Sequence, residues 1–211
     1  MSFRRLTGLL VRPLLMIAGL TACQPSGASF DYWVLALSWS PEYCASDDAR
    51  PGSQQCRKQH DFVVHGLWPQ FERGYPEFCD PDSRIDGAIA DRLQPLIPDR
   101  GLVFHQWRKH GTCSGLSPEA YFDTLEAAAG AVKVPMRAIR AAQSKPSSRQ
   151  ELEQEFIDLN PGLSAEAITF HCKRSRLREV RICLDHSLKP RSCGADLREA
   201  CGRNLSVRPS R

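Results

Sequence analysis

The chain has 211 residues, 25% of them charged and 42% hydrophobic, with a formal net charge of +4. That composition fits one ordinary globular domain and excludes a disordered chain, a low-complexity chain or a coiled coil. It holds no run of about 18 uninterrupted apolar residues, which excludes a multi-pass membrane protein. Nine cysteines are many for this length, so the redox compartment is the first question.

Arg4, Arg5 and Arg12 precede a short apolar run from Pro13 to Thr21, the layout of a secretory signal peptide. The run ends in Leu20-Thr21-Ala22-Cys23. This resembles a bacterial lipoprotein signal, in which an aliphatic residue and two small ones precede a cysteine. The resemblance implies a signal over residues 1–22, a lipid on Cys23, and a short tether over 23–29. Gln24, rather than Asp, then implies the periplasmic face of the outer membrane. Two alternatives stay open: cleavage after Ala28, giving a soluble periplasmic or secreted protein, and a retained anchor helix, for which the run is short.

Loss of the first 22 residues removes three arginines and no acid, leaving 25 basic against 24 acidic side chains, or +1. Global charge therefore says nothing about partners. Local charge says more: residues 171–211 carry eleven Lys or Arg against four acids, and residues 72–99 carry seven acids against three bases. A basic C-terminal third can guide a polyanion, or be a solvated face. Eight cysteines remain after Cys23: Cys44, Cys56, Cys79, Cys113, Cys172, Cys183, Cys193 and Cys201. An even count in an exported chain implies a disulfide framework, with 105 pairings open to sequence alone. No Cys-x-x-Cys pair is present, which argues against a zinc ribbon or a redox-active site.

In chain order, Tyr32 to Trp39 is apolar at both alternating positions, as a buried central strand should be. Phe62-Val63-Val64 reads as a second short strand closed by His65-Gly66. Residues 72–86, rich in Pro, Gly and Asp, read as loop. Residues 103–110 suit a helical turn or two. Ser117-Pro118 opens a helix to about Ala129, with Ser at the N-cap and Pro at the first position. Ser148 and Glu151 form a capping box for a helix to about Leu159, stopped by Asn160-Pro161-Gly162. Ala167–His171 and Leu177–Leu184 read as two strands, and the remainder as loop pinned by Cys193 and Cys201. Strands and helices do not alternate regularly, so the fold class is α+β rather than a doubly wound sheet.

Two segments carry the chemistry: Phe62-Val63-Val64-His65-Gly66-Leu67-Trp68-Pro69-Gln70, and Phe104-His105-Gln106-Trp107-Arg108-Lys109-His110-Gly111-Thr112-Cys113. On a helix turning about 100° per residue, with His105 at zero, Lys109 falls near 40°, Gln106 near 100° and His110 near 140°. One face thus presents two imidazoles, an ammonium and an amide, a surface for an anion with a titrating base at its edge. A core face would not carry Lys109. His65 stands where a strand meets a Gly turn, a position that projects a side chain into a cleft. Trp68 offers a flat ring for stacking a base, or anchors the core. Two histidines from separate segments can serve as general base and general acid, and a neighbouring lysine can stabilise charge on a phosphoryl oxygen. These parts suit cleavage of RNA by its own 2′-hydroxyl, without a metal or cofactor. His105 and His110 as zinc ligands is the weaker reading. Their spacing sets them about 140° apart, with no Glu between them as base. His60, His171 and His186 read as surface or structural.

At these segments the chain resembles the ribonuclease T2 family, the exported acid endoribonucleases. The first looks like that family's motif His-Gly-Leu-Trp-Pro, and the second resembles its His-Glu-x-x-Lys-His-Gly-x-Cys in outline. The tract from Cys172 through Arg178–Leu184 to Cys193 is similar to its cysteine-rich C-terminal hairpin, and Trp33–Trp39 to its first strand. The resemblance implies a single catalytic domain over 30–211, with helices packed on a central antiparallel sheet. It implies His110 as general base, His65 as general acid, His105 and Lys109 on the phosphate, and Trp68 in a base site. Products would be a 2′,3′-cyclic phosphate and then a 3′-phosphate. The family's disulfides imply Cys79–Cys113, Cys172–Cys201 and Cys183–Cys193, which leaves Cys44 with Cys56. The expected partner is RNA, with the membrane met only through the lipid anchor and the chain a monomer. Two positions depart from the family. Gln106 stands where Glu is usual, which predicts weakened but retained activity, and Gln70 stands where Asp or Asn is frequent, which bears on base preference. The alternative reading is a catalytically impaired RNA-binding or envelope protein on the same fold.

Overall fold

A computed structural model describes residues 30–210. The signal, the Cys23 lipidation site and the tether over 23–29 lie outside the described residues. In chain order the elements are β1 (Tyr32–Trp39), α1 (Ser40–Cys44), α2 (Gln54–Arg57), β2 (Phe62–Gln70), α3 (Gly87–Arg92), α4 (Arg100–Lys109), α5 (Pro118–Ala131), α6 (Met136–Ser144), β3 (Ser147–Ser148), α7 (Arg149–Leu159), β4 (Ile168–Lys173), β5 (Arg176–Leu184) and β6 (Asn204–Leu205). Four strands form an antiparallel sheet in the order β2-β1-β5-β4, and β3 pairs with β6. The architecture is α+β, with helices packed on the sheet.

β1 is apolar on both of its faces because each meets a different core. Trp33, Leu35, Leu37 and Trp39 enter the main core with Tyr121, Phe122 and Leu125 of α5 and Leu152 and Phe156 of α7. Tyr32, Val34 and Ala36 enter a smaller cluster with Trp68 and Cys183 on the opposite face. Each such buried side chain contributes on the order of 2 kcal/mol by leaving water. The helix starts follow local chemistry. Ser117 accepts the Ala120 N–H ahead of Pro118, and Ser148 accepts the Glu151 N–H. α4 begins earlier than residue 103 because Asp99 accepts the Gly101 N–H at 2.9 Å and caps it there.

The largest departure from the sequence reading is in β2, which does not end at His65-Gly66 but runs to Gln70. β1 is long enough to pair along its whole length, and the register absorbs one extra residue. Ala36 faces Gly66 and Leu37 faces Val64, so His65 is left over at a bulge. A bulge kinks the strand and re-aims the extra side chain. α6 also went unread: it is short, with Ile139 and Ala142 its buried side chains, and no capping side chain marks its start. Four disulfides staple the structure: Cys44–Cys56, Cys79–Cys113, Cys172–Cys201 and Cys183–Cys193. Such a set fits an oxidising compartment. Among the described residues, no helix is long and apolar enough to cross a membrane.

Candidate active site

The bulge on β2 and the C-terminal half of α4 face each other across a cleft of about 380 Å³. His65, His105, Gln106, Lys109 and His110 all line it, with Trp68. α4 is held there by its opposite side, where Trp107 packs edge-on against Tyr121 at 5.8 Å between ring centres. The Tyr121 hydroxyl in turn donates to the Leu67 carbonyl at 2.7 Å, tying α5 to β2. The helical face read from the sequence is therefore the face that meets the cleft.

His110 follows the last turn of α4, and its N–H donates to the Gln106 carbonyl at 3.0 Å. The residue is only 6% exposed. Its Nδ1 is buried without a hydrogen-bond partner, and its ring stacks on Trp68 at 5.3 Å. Burial pushes its pKa down to about 3, helped by the positive charges of Lys109, His65 and His105. His105 is also lowered, by burial first and then by Arg50, Lys109, Arg108 and His65.

His65 is held by a side-chain partner instead. Its Nδ1 lies 2.6 Å from Oε2 of Glu179, a buried carboxylate on β5. Ser38 on β1 donates to the same oxygen at 3.2 Å, and Arg181 Nε donates to Oε1 at 2.7 Å. Burial alone would raise the Glu179 carboxyl. The His65 hydrogen bond and charge, with Arg181, outweigh it and hold the carboxyl down to about 2.

Trp68 is 9% exposed, with His110 stacked on it, the Arg181 guanidinium 5.1 Å from the ring centre and His65 edge-on at 5.2 Å. Its indole N–H donates to Gln106 Oε1 at 2.8 Å. Gln106 thus spends its amide oxygen on Trp68 rather than on Lys109. The carboxylate on Lys109 is instead Glu77, at 3.3 Å, from the loop after β2. That loop is pinned to the end of α4 by the Phe78 N–H donating to the Lys109 carbonyl at 2.9 Å, and to the turn after it by Cys79–Cys113. It carries Tyr75, half-exposed on the cleft wall, with Lys109 5.8 Å from its ring centre.

A second cavity of about 430 Å³ adjoins the first and shares His65, His105 and Arg181 with it. Arg50, Arg178 and His171 also line it. Of the basic C-terminal third, Arg178 and Arg181 therefore reach the site. His171, which the sequence offers as surface or structural, stands at this cavity and is pushed down to about 4 by burial and Arg181, against Glu179. His60 and His186 line neither cavity. Glu179, Glu77 and Tyr75 were missed by sequence reasoning. Tyr75 had a readable signal, as an aromatic residue in a polar loop between the two motifs.

Known proteins resemble the chain in sequence and in fold. A family model described as the Ribonuclease T2 family matches residues 30–193. A ribonuclease of Aeromonas hydrophila is 39% identical over 185 residues, covering 85% of this chain and 82% of its own. Ribonuclease 3 of Arabidopsis thaliana is 29% identical over 189 residues, 78% of this chain and 82% of that one. In fold, the crystal structure of RNase NT in complex with 5′-AMP matches with a TM-score of 0.71 at 21% identity, over 85% of this chain and 98% of that chain. The protein is thus an RNA-cleaving enzyme. The chain belongs to the ribonuclease T2 family.

Proposed function

We propose that the protein is a metal-independent endoribonuclease that cleaves single-stranded RNA through the 2′-hydroxyl. The observation that carries this is the opposite setting of two histidines on one cleft. His110 is buried, without a partner on Nδ1 and held neutral down to about pH 3, while His65 is braced by a hydrogen bond to a buried carboxylate. A neutral imidazole can accept a proton, and an imidazole braced by a carboxylate can deliver one. His110 takes the proton of the 2′-hydroxyl, the 2′-oxygen attacks phosphorus, and the bond to the 5′-oxygen breaks. His65 delivers its proton to that leaving oxygen. The products are a 2′,3′-cyclic phosphate and a 5′-hydroxyl. Water then opens the ring with the two roles reversed, leaving a 3′-phosphate.

Lys109 and His105 bind the phosphate and meet the charge that grows on it. Trp68 floors the base site and Tyr75 supplies its exposed wall. The strand continues past His65 into the adjoining cavity, where Arg50, Arg178 and Arg181 favour its phosphates. The catalytic domain spans 30–211, behind a lipoprotein signal of residues 1–22, lipid-bearing Cys23 and a tether to residue 29. The enzyme works as a monomer at the cell envelope. The test is cleavage of RNA by the oxidised protein at pH about 5 and 7 in EDTA, beside His110→Ala. Activity that survives EDTA and vanishes in the variant supports the reading. RNA binding without turnover at either pH replaces it with the impaired binder.

A further inference from the structure

We infer that Glu179 is the positioning residue of the general acid: it fixes which nitrogen of His65 carries the transferable proton. The inference rests on the acid–base reading above. His65 is the unpaired residue of a bulge, so its backbone register leaves the ring free to turn. A hydrogen bond removes that freedom, between Nδ1 and Glu179 Oε2 at 2.6 Å. The carboxylate itself is held from two sides, by Ser38 on β1 and Arg181 on β5, and is 6% exposed. It cannot follow a wandering ring.

The charged groups around the acid make this pairing the decisive one. Arg50, His105, Lys109, His110, His171 and Arg181 line the two cavities onto which His65 opens, and each is cationic or can become so. The carboxylates nearby are engaged elsewhere. Asp48 pairs with Arg178 at 2.8 Å, and Asp99 accepts from Ser53 and Gly101. Among the described residues, Glu179 is the carboxylate that touches His65. Its acceptor oxygen keeps the Nδ1 hydrogen on His65 in both charge states. The proton given up is therefore the one on Nε2. It passes to the leaving 5′-oxygen, while the Nδ1 hydrogen stays on the carboxylate contact and the neutral ring is already in the tautomer that can accept a proton from water.

The test compares Glu179→Gln with the unaltered chain on two substrates: a dinucleotide with an alkoxide leaving group, and a nucleoside 3′-aryl phosphate whose phenolate leaves without protonation. On the dinucleotide, kcat is expected to fall by about 10–100-fold with little change in KM. On the aryl phosphate, the loss shrinks to less than about threefold, because no general acid is needed. Equal losses on both substrates, or no loss at all, overturn the inference. Thermal unfolding of the variant accompanies the kinetics, since Glu179 also holds Arg181. A second measurement is independent of turnover: nitrogen NMR of neutral His65 in the unaltered protein, expected to show the proton on Nδ1. A proton on Nε2 overturns the inference even in an active enzyme. An unaltered protein that fails to cut either substrate overturns the catalytic reading instead, and the tautomer measurement then judges Glu179 by itself.

Discussion

Gly66→Ala puts the close approach of β2 and α4 to the test. A Cβ built at Gly66 falls on Gln106 Oε1, within 2.7 Å of Gln106 Cδ and at 2.5 Å from Trp68 Nε1. All three groups belong to the buried Trp68–Gln106 hydrogen bond, so neither side chain can yield without breaking it. Overpacking of this kind costs about 1–3 kcal/mol, and orphaning a buried hydrogen-bonding pair about as much again. A combined loss of about 2–6 kcal/mol lowers the melting temperature by about 4–24 °C in a domain of this size. Activity should fall further than stability implies, because His110 is stacked on the ring that must move. A displacement near 1 Å at a catalytic group costs on the order of 100-fold in rate. Urea unfolding and steady-state cleavage at a temperature where the variant is folded measure both effects. An unchanged midpoint refutes the packing argument. A lowered midpoint with full activity refutes the claim that Trp68 holds His110 in place.

Other outcomes follow from the same contacts. Gln106→Glu keeps an acceptor for the Trp68 N–H and adds a negative charge one helical turn from His110, which favours its protonated form and makes it a stronger base. Turnover should rise and the acid limb of the pH profile should move to higher pH; no gain, or a loss, contradicts the reading of that position. Glu77→Gln frees Lys109 from its carboxylate, so KM for RNA should fall about twofold at low salt, with the difference fading at high salt. Acid should weaken the fold through His110. Below about pH 6.5 the unfolded chain takes up a proton that the folded imidazole refuses until about pH 3, so stability drops as pH falls through that window. On the order of 2 kcal/mol should be lost between about pH 7 and 4.5 by denaturant titration, and less in His110→Phe. An equal loss in both places the sensitivity elsewhere.

What the sequence made legible is what nearby residues encode. β1 was readable because both of its faces are buried, and the starts of α5 and α7 because Ser117, Pro118 and Ser148 announce them locally. The two motifs carried their own chemistry, and the face of α4 followed from helical periodicity alone. Glu179 was not legible. It lies 114 residues from His65. Alternation along β5 sets it with Arg181 on a polar face that looks solvent-exposed, until the bulged β2 brings a histidine to it. The bulge is equally invisible, since it is a property of the pairing of β1 with β2 rather than of either strand. For the same reason His65-Gly66 looked like an end: the glycine is there for the approach of Gln106, not to stop the strand.

The central claim is that the RNA supplies its own nucleophile. Phosphorus NMR of a dinucleotide digest in EDTA follows the product directly. The 2′,3′-cyclic phosphate signal should appear first and pass slowly to a 3′-phosphate, while the 2′-deoxy analogue at the scissile position stays uncut. A terminal phosphate formed without the cyclic species, or cleavage of the deoxy analogue, would contradict it.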